Sequence, residues 1–121
     1  MTVSGRHALI IEDEILIALE VENLLAEIGF ETFDWADSPT RALTCAQGRK
    51  PDLITADIRI IGGTGIEAVR AIHAAVGPVP VVYVTGNIDM LRDQGSSTVV
   101  EKPIAPAALA AACEHVFRSA A

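Results

Sequence analysis

Short apolar runs alternate along this chain with longer stretches in which apolar residues recur every three or four positions. His7 to Ile11 is apolar on consecutive positions after its histidine, as a strand covered on both faces should be. From about Glu14 to Ile28 the period changes. Ile17, Val21, Leu24, Leu25 and Ile28 fall on one helical face, and Glu20, Asn23 and Glu27 fall opposite. Gly29 is placed to cap that helix. Glu31 to Ala36 mixes polar and apolar residues, which suits an edge strand. Ser38-Pro39 starts a second helix, with Ser as cap and Pro in the first turn, running to about Gln47.

Pro51-Asp52 turns the chain into a central strand, Leu53 to Asp57. Gly62-Gly63-Thr64-Gly65 predicts a flexible loop before a third helix that buries Ile66, Val69, Ile72 and Val76. Gly77-Pro78 stops that helix, and Val81 to Thr85 is a fourth strand. Ile88 to Gln94 has room only for a shortened fourth helix. Thr98 to Glu101 is a fifth strand. Pro103 to Ser119 supplies the last helix, with Leu109, Ala112, Cys113, Val116 and Phe117 on one face.

Five β-α units without long insertions predict an α/β fold, a doubly wound five-stranded parallel sheet with helices on both faces. Right-handed crossovers restrict the strand orders, and 2-1-3-4-5 sets the end of the first strand beside the end of the third. With 121 residues and no linker or repeat, one domain is expected over 1–121, its core at about 6–119.

That order changes the meaning of four polar positions. Glu12-Asp13-Glu14, Asp57 and Thr85 follow or end apolar runs, and Lys102 follows the last. All then lie at the carboxyl edge of one sheet, where open α/β sheets bind ligands. Two carboxylates ~5 Å apart repel by roughly 3 kcal/mol at an effective dielectric near 20. Lys102 supplies one compensating charge, and Mg2+, which takes few protein oxygens and keeps waters, suits the remainder. Asp57 is the nucleophile candidate, since a carboxylate can accept a phosphoryl group. Lys102 and the Thr85 hydroxyl are candidate donors to the phosphoryl oxygens.

Composition narrows the classes. Half of the residues are apolar but only 4% are aromatic, so the core is aliphatic. A net charge of -7 and the lack of a basic run argue against nucleic acid as a partner. No apolar stretch is long enough to span a bilayer, and Met1 to Arg6 lacks the apolar segment of a signal peptide, so a cytoplasmic location is expected. Cys45 and Cys113 stand apart without partners at ligand spacing and read as two buried thiols. The three histidines show no metal spacing, and the glycine-rich segment lacks a Walker lysine.

Glu12-Asp13, Asp57, Gly65, Thr85-Gly86 and Lys102-Pro103, in this order on a β-α repeat, resemble the response-regulator receiver domain of two-component signalling. The likeness covers nearly the whole chain and implies a flavodoxin-like fold. It implies that Asp57 takes phosphate from a histidine kinase or a histidine phosphotransfer protein. It also implies that Thr85 and Lys102 contact the phosphoryl group. Glu12, Asp13, Asp57 and the main-chain carbonyl of Arg59 would hold Mg2+, and the peptide before Pro103 would be cis. The resemblance points to a phosphoacceptor rather than a turnover enzyme, a monomer or weak homodimer that signals to a downstream protein partner.

Three departures are expected to matter. Val99 stands where receivers usually carry a switch aromatic. The stretch from Thr85 to Lys102 is short. Ile61 stands where Pro is usual in the loop after Asp57. Arg59 and Asn87 are expected to tune the lifetime of the phosphate. The alternatives are a degenerate receiver or interaction module that is not phosphorylated, and an Asp-nucleophile phosphohydrolase. The latter class usually has a second Asp where Arg59 stands. A flavodoxin-like electron carrier fits poorly, because the loop after the first strand is acidic.

Overall fold

The computed structural model describes residues 6–86 and 98–120, with side chains of the second stretch as far as Arg118. The elements are β1 (Arg6–Ile11), α1 (Ile15–Ile28), β2 (Phe30–Ala36), α2 (Pro39–Gly48) and β3 (Leu53–Ala56). They continue with β4 (Arg59–Ile60), β5 (Gly63–Thr64), α3 (Gly65–Val76), β6 (Val81–Thr85), β7 (Val99–Glu101) and α4 (Pro106–Ala120).

Five strands form one sheet in the order β2-β1-β3-β6-β7, and every neighbouring pair is parallel. This is the expected order. The central strands are covered on both sides, which is why they read as unbroken apolar runs. On one face Ala8, Ile10, Leu53, Val82, Val84 and Val100 pack against Val21 and Leu25 of α1 and Leu109 and Cys113 of α4. On the other, Leu9, Ile11, Ile54, Ala56 and Tyr83 pack against Ala42 of α2 and Val69 and Ile72 of α3. Each fully buried Leu or Ile contributes about 1.5–3 kcal/mol relative to exposure.

Local signals explain the ends. The Ser38 hydroxyl accepts from the Arg41 N–H at 3.3 Å and caps α2, with Pro39 in its first turn. Gly29, at φ 122, ends α1, and its N–H returns to the carbonyls of Leu25 and Ala26. His7 is buried and ties the edge strand down. Its ring nitrogens lie 2.9 Å from Thr32 Oγ1 and 3.0 Å from Asp34 Oδ2. An ionised carboxylate only accepts, so Nε2–H donates to Asp34.

Three readings change. Gly62 to Gly65 is not a flexible loop: Gly63–Thr64 pairs antiparallel with Arg59–Ile60, and Gly65 already belongs to α3. The last helix starts at Pro106 rather than Pro103, because Ile104 turns into the core. Cys45 is only half-buried, whereas Cys113 is buried. The stretch read as a shortened fourth helix, and Asn87, lie outside the described residues.

Candidate functional site

Main-chain bonds of the sheet set the pocket. The Asp57 N–H donates to the Ile11 carbonyl at 2.9 Å, so the chain beyond β3 stays beside the end of β1. The Glu12 N–H donates to the Ala36 carbonyl at 2.9 Å, which holds the end of β1 against β2. On the other side the Lys102 N–H donates to the Thr85 carbonyl at 3.1 Å. The ends of β1, β3, β6 and β7 thus converge on one edge.

Lys102 Nζ lies 2.9 Å from Asp57 Oδ2 and 3.0 Å from Glu12 Oε1. It bridges two buried carboxylates. The other oxygen of Asp57 accepts the Ile58 N–H at 2.7 Å, and Glu12 Oε2 accepts the Glu14 N–H at 3.2 Å. Glu14 Oε1 approaches the same ammonium at 4.0 Å. Thr85 is fully buried at the end of β6. The Lys102-Pro103 peptide is cis, as the resemblance implied.

One ammonium cannot satisfy this much negative charge. Burial pushes the Glu12 carboxyl up to about 7, the Asp57 charge adds to the rise, and contact with Lys102 offsets it only in part. For Lys102, burial alone would lower the pKa. Its hydrogen bonds to Asp57 and Glu12, and their charges, outweigh burial and raise it. The lysine is therefore firmly charged, and Glu12 is the group left under-compensated.

The donor set fits a hard divalent cation. Glu12, Asp13, Glu14 and Asp57 each offer a carboxylate oxygen, all within 4.8 Å of one another. Oxygen-only ligands, two of them on exposed side chains at the mouth, suit Mg2+ with its retained waters.

A glycine makes room for the acid. A Cβ on Gly65 would collide with the Asp57 main-chain oxygen, and the Gly65 N–H donates to the Ile58 carbonyl at 2.8 Å. The start of α3 thus packs directly under the turn that carries Asp57.

Glu12, Asp13, Asp57 and Lys102 therefore meet as the sequence predicted, with Thr85 at the neighbouring strand end. Glu14 is outside the ligand set that the resemblance implies. It is the N-cap residue of α1 and joins the acidic group. The available signal was its place in an unbroken run of three acids. The Arg59 side chain is exposed on β4.

Comparison with known proteins agrees with this geometry. The family model for the response regulator receiver domain matches residues 8–114. The transcriptional regulatory protein PdtaR of Mycobacterium tuberculosis is 31% identical over 113 residues, covering 90% of this chain and 55% of PdtaR. The solution structure of the PhyR response regulator REC domain of Erythrobacter litoralis superposes with a TM-score of 0.86 at 29% identity, covering 95% of this chain and 92% of that one. The anti-anti-sigma factor PhyR of Bartonella quintana gives a TM-score of 0.85 at 27% identity, covering 99% of this chain and 50% of that one. The chain thus spans about half the length of PdtaR and of this second PhyR. The family model spans most of the chain, and the chain belongs to the response-regulator receiver domain family.

Proposed function

We propose that this receiver is a phosphoacceptor, taking a phosphoryl group on Asp57 with Mg2+ present. The observation that carries this reading is the Asp57 carboxylate held 2.9 Å from Lys102 Nζ beside three further acids. Asp57 sits at the carboxyl edge of the sheet, where open α/β sheets bind ligands. Its carboxylate oxygen forms the new bond to phosphorus. The bond from phosphorus to the donor's leaving atom breaks, and that atom keeps the electron pair. Lys102 stays with the charge as it moves from carboxylate to phosphoryl oxygens. The buried Thr85 hydroxyl is the second candidate donor. Glu12, Asp13, Asp57 and the Arg59 carbonyl are the proposed metal ligands, with Glu14 within reach. When bound, Mg2+ would neutralise carboxylate charge and polarise a phosphoryl oxygen.

The donor is a histidine kinase or a histidine phosphotransfer protein, and the output is a protein contact. The likeness to an anti-anti-sigma factor supports an anti-sigma factor as the kind of downstream partner. Receivers are signalling modules rather than enzymes, and we assign this one the same role in the cytoplasm, as monomer or weak homodimer. Among the described residues no helix is long and apolar enough to cross a membrane. Arg59, exposed next to the pocket, is proposed to tune how long the phosphate lasts.

The test is intact-mass spectrometry after incubation with Mg2+ and acetyl phosphate, beside Asp57→Asn. A labile phosphate adduct on the wild type alone is expected. No adduct with any donor makes the chain a degenerate receiver. Steady phosphate release from unrelated esters makes it a hydrolase.

A further inference from the structure

The short ribbon after Asp57 is fastened at both ends to the phosphoacceptor and at its tip to the corner between β2 and α2. At its base, the Ile58 N–H donates to Asp57 Oδ1 at 2.7 Å, and the Ile58 carbonyl accepts the Gly65 N–H at 2.8 Å. Gly65 in turn lies against the Asp57 main chain without room for a Cβ. Ile58 and Ile60 are buried, so the ribbon β4–β5 has no slack at its root.

At its tip the Ile61 N–H donates to the Asp37 carbonyl at 3.1 Å. Gly63 rests on α2 so closely that a Cβ there would lie 3.0 Å from Pro39 Cγ. The Ile61 side chain is 58% exposed, so apolar burial does not account for this residue. What position 61 supplies is its main-chain donor, which a proline would lack. The acceptor, Asp37, follows β2. Two residues upstream stands Trp35, half-exposed, its indole N–H donating to Glu22 Oε1 on α1 at 2.9 Å.

Phosphorylation changes the base of this ribbon. Forming the acyl phosphate removes the carboxylate charge that strengthens the Ile58 bond and adds phosphoryl oxygens that compete for the same N–H. A tightly packed ribbon shifts as a unit, and its tip is hydrogen-bonded to the β2–α2 corner. We propose that phosphorylation of Asp57 is transmitted to this corner, Trp35 to Pro39, through the Ile61–Asp37 bond. The proposal rests on the phosphoacceptor reading above.

Trp35 is the sole tryptophan of the chain, so its emission reports on this corner and on its contact with α1. The experiment records tryptophan emission and acrylamide quenching before and after acetyl phosphate with Mg2+, with adduct occupancy measured by mass on the same sample. Mg2+ alone is the baseline. The wild type is expected to shift its emission on phosphorylation, and Asp57→Asn to stay at baseline. Ile61→Pro, which removes the donor, fixes φ and replaces a mostly exposed side chain, should reach the same occupancy and lose most of the shift. Pro39→Ala, which removes the surface under Gly63, should weaken it too. An adduct with silent tryptophan overturns the coupling alone. An undiminished shift in both Ile61→Pro and Pro39→Ala overturns the route. No adduct on the wild type overturns the phosphoacceptor reading, and this proposal with it.

Discussion

Gly65 lies against Asp57 with no space between them for a side chain, because a Cβ at residue 65 would collide with the Asp57 main-chain oxygen. Neither partner can easily yield. Asp57 is pinned by its N–H to Ile11, and Gly65 by its N–H to Ile58. Gly65→Ala must therefore move α3 or the Asp57 turn. Overpacking of this kind costs about 1–3 kcal/mol. Urea unfolding should show the loss, and the rate of adduct formation from acetyl phosphate should fall with it. An unchanged midpoint would mean that the turn is free to shift.

The strands were legible because a sheet covered on both faces leaves continuous apolar runs, and the runs at Ala8–Ile11, Leu53–Ala56 and Val81–Val84 are of that kind. Handedness restricted their order, and placing the acids that end the first strand beside Asp57 selected one of those left. The β4–β5 ribbon was not legible. Two-residue strands carry no period, and this pair forms because Gly65 closes under Asp57. Glu14 was ambiguous for another reason. A carboxylate at a helix start serves the helix dipole equally well whether or not it also faces a lysine. The last helix was read from Pro103 but starts at Pro106; both prolines suit a first turn, and Ile104 between them is buried in the core.

Thr55 sits in the middle of β3, opposite Ile10 on one side and Val82 on the other. Its hydroxyl oxygen is buried without a hydrogen-bond partner among the described residues. Valine has nearly the same shape and no polar atom to desolvate. Thr55→Val should therefore stabilise the domain by about 1–2 kcal/mol, read as a higher melting temperature at constant urea m-value. A loss of stability would show that the hydroxyl has a partner, such as an internal water.

The Glu12 carboxyl gives a pH signature in metal-free buffer. Burial raises it to about 7 in the folded protein from an ordinary 4.5. Between those values the folded state holds more protons than the unfolded state, so stability falls as pH rises through that window. Glu12→Gln has no such proton to lose. Its stability should be flatter over the same window than that of the wild type, measured by urea titration at each pH with chelator present. Parallel curves would mean that Glu12 ionises normally.

Mg2+ acts on the same charge from the other direction. If it binds the folded pocket and not the unfolded chain, the melting temperature must rise with its concentration. At about a hundredfold excess over Kd the linkage is worth about 2.7 kcal/mol. Asp13 is exposed, so removing its carboxylate leaves the buried Glu12–Lys102–Asp57 contacts in place. Asp13→Ala should accordingly fold normally and lose most of the Mg2+-dependent rise, while Glu14→Ala, outside the proposed ligand set, should keep more of it. Na+ at matched ionic strength separates site binding from screening of a chain that carries -7. An equal rise in Asp13→Ala and the wild type would place the metal elsewhere, and the carboxylates at the sheet edge would then answer to Lys102 alone.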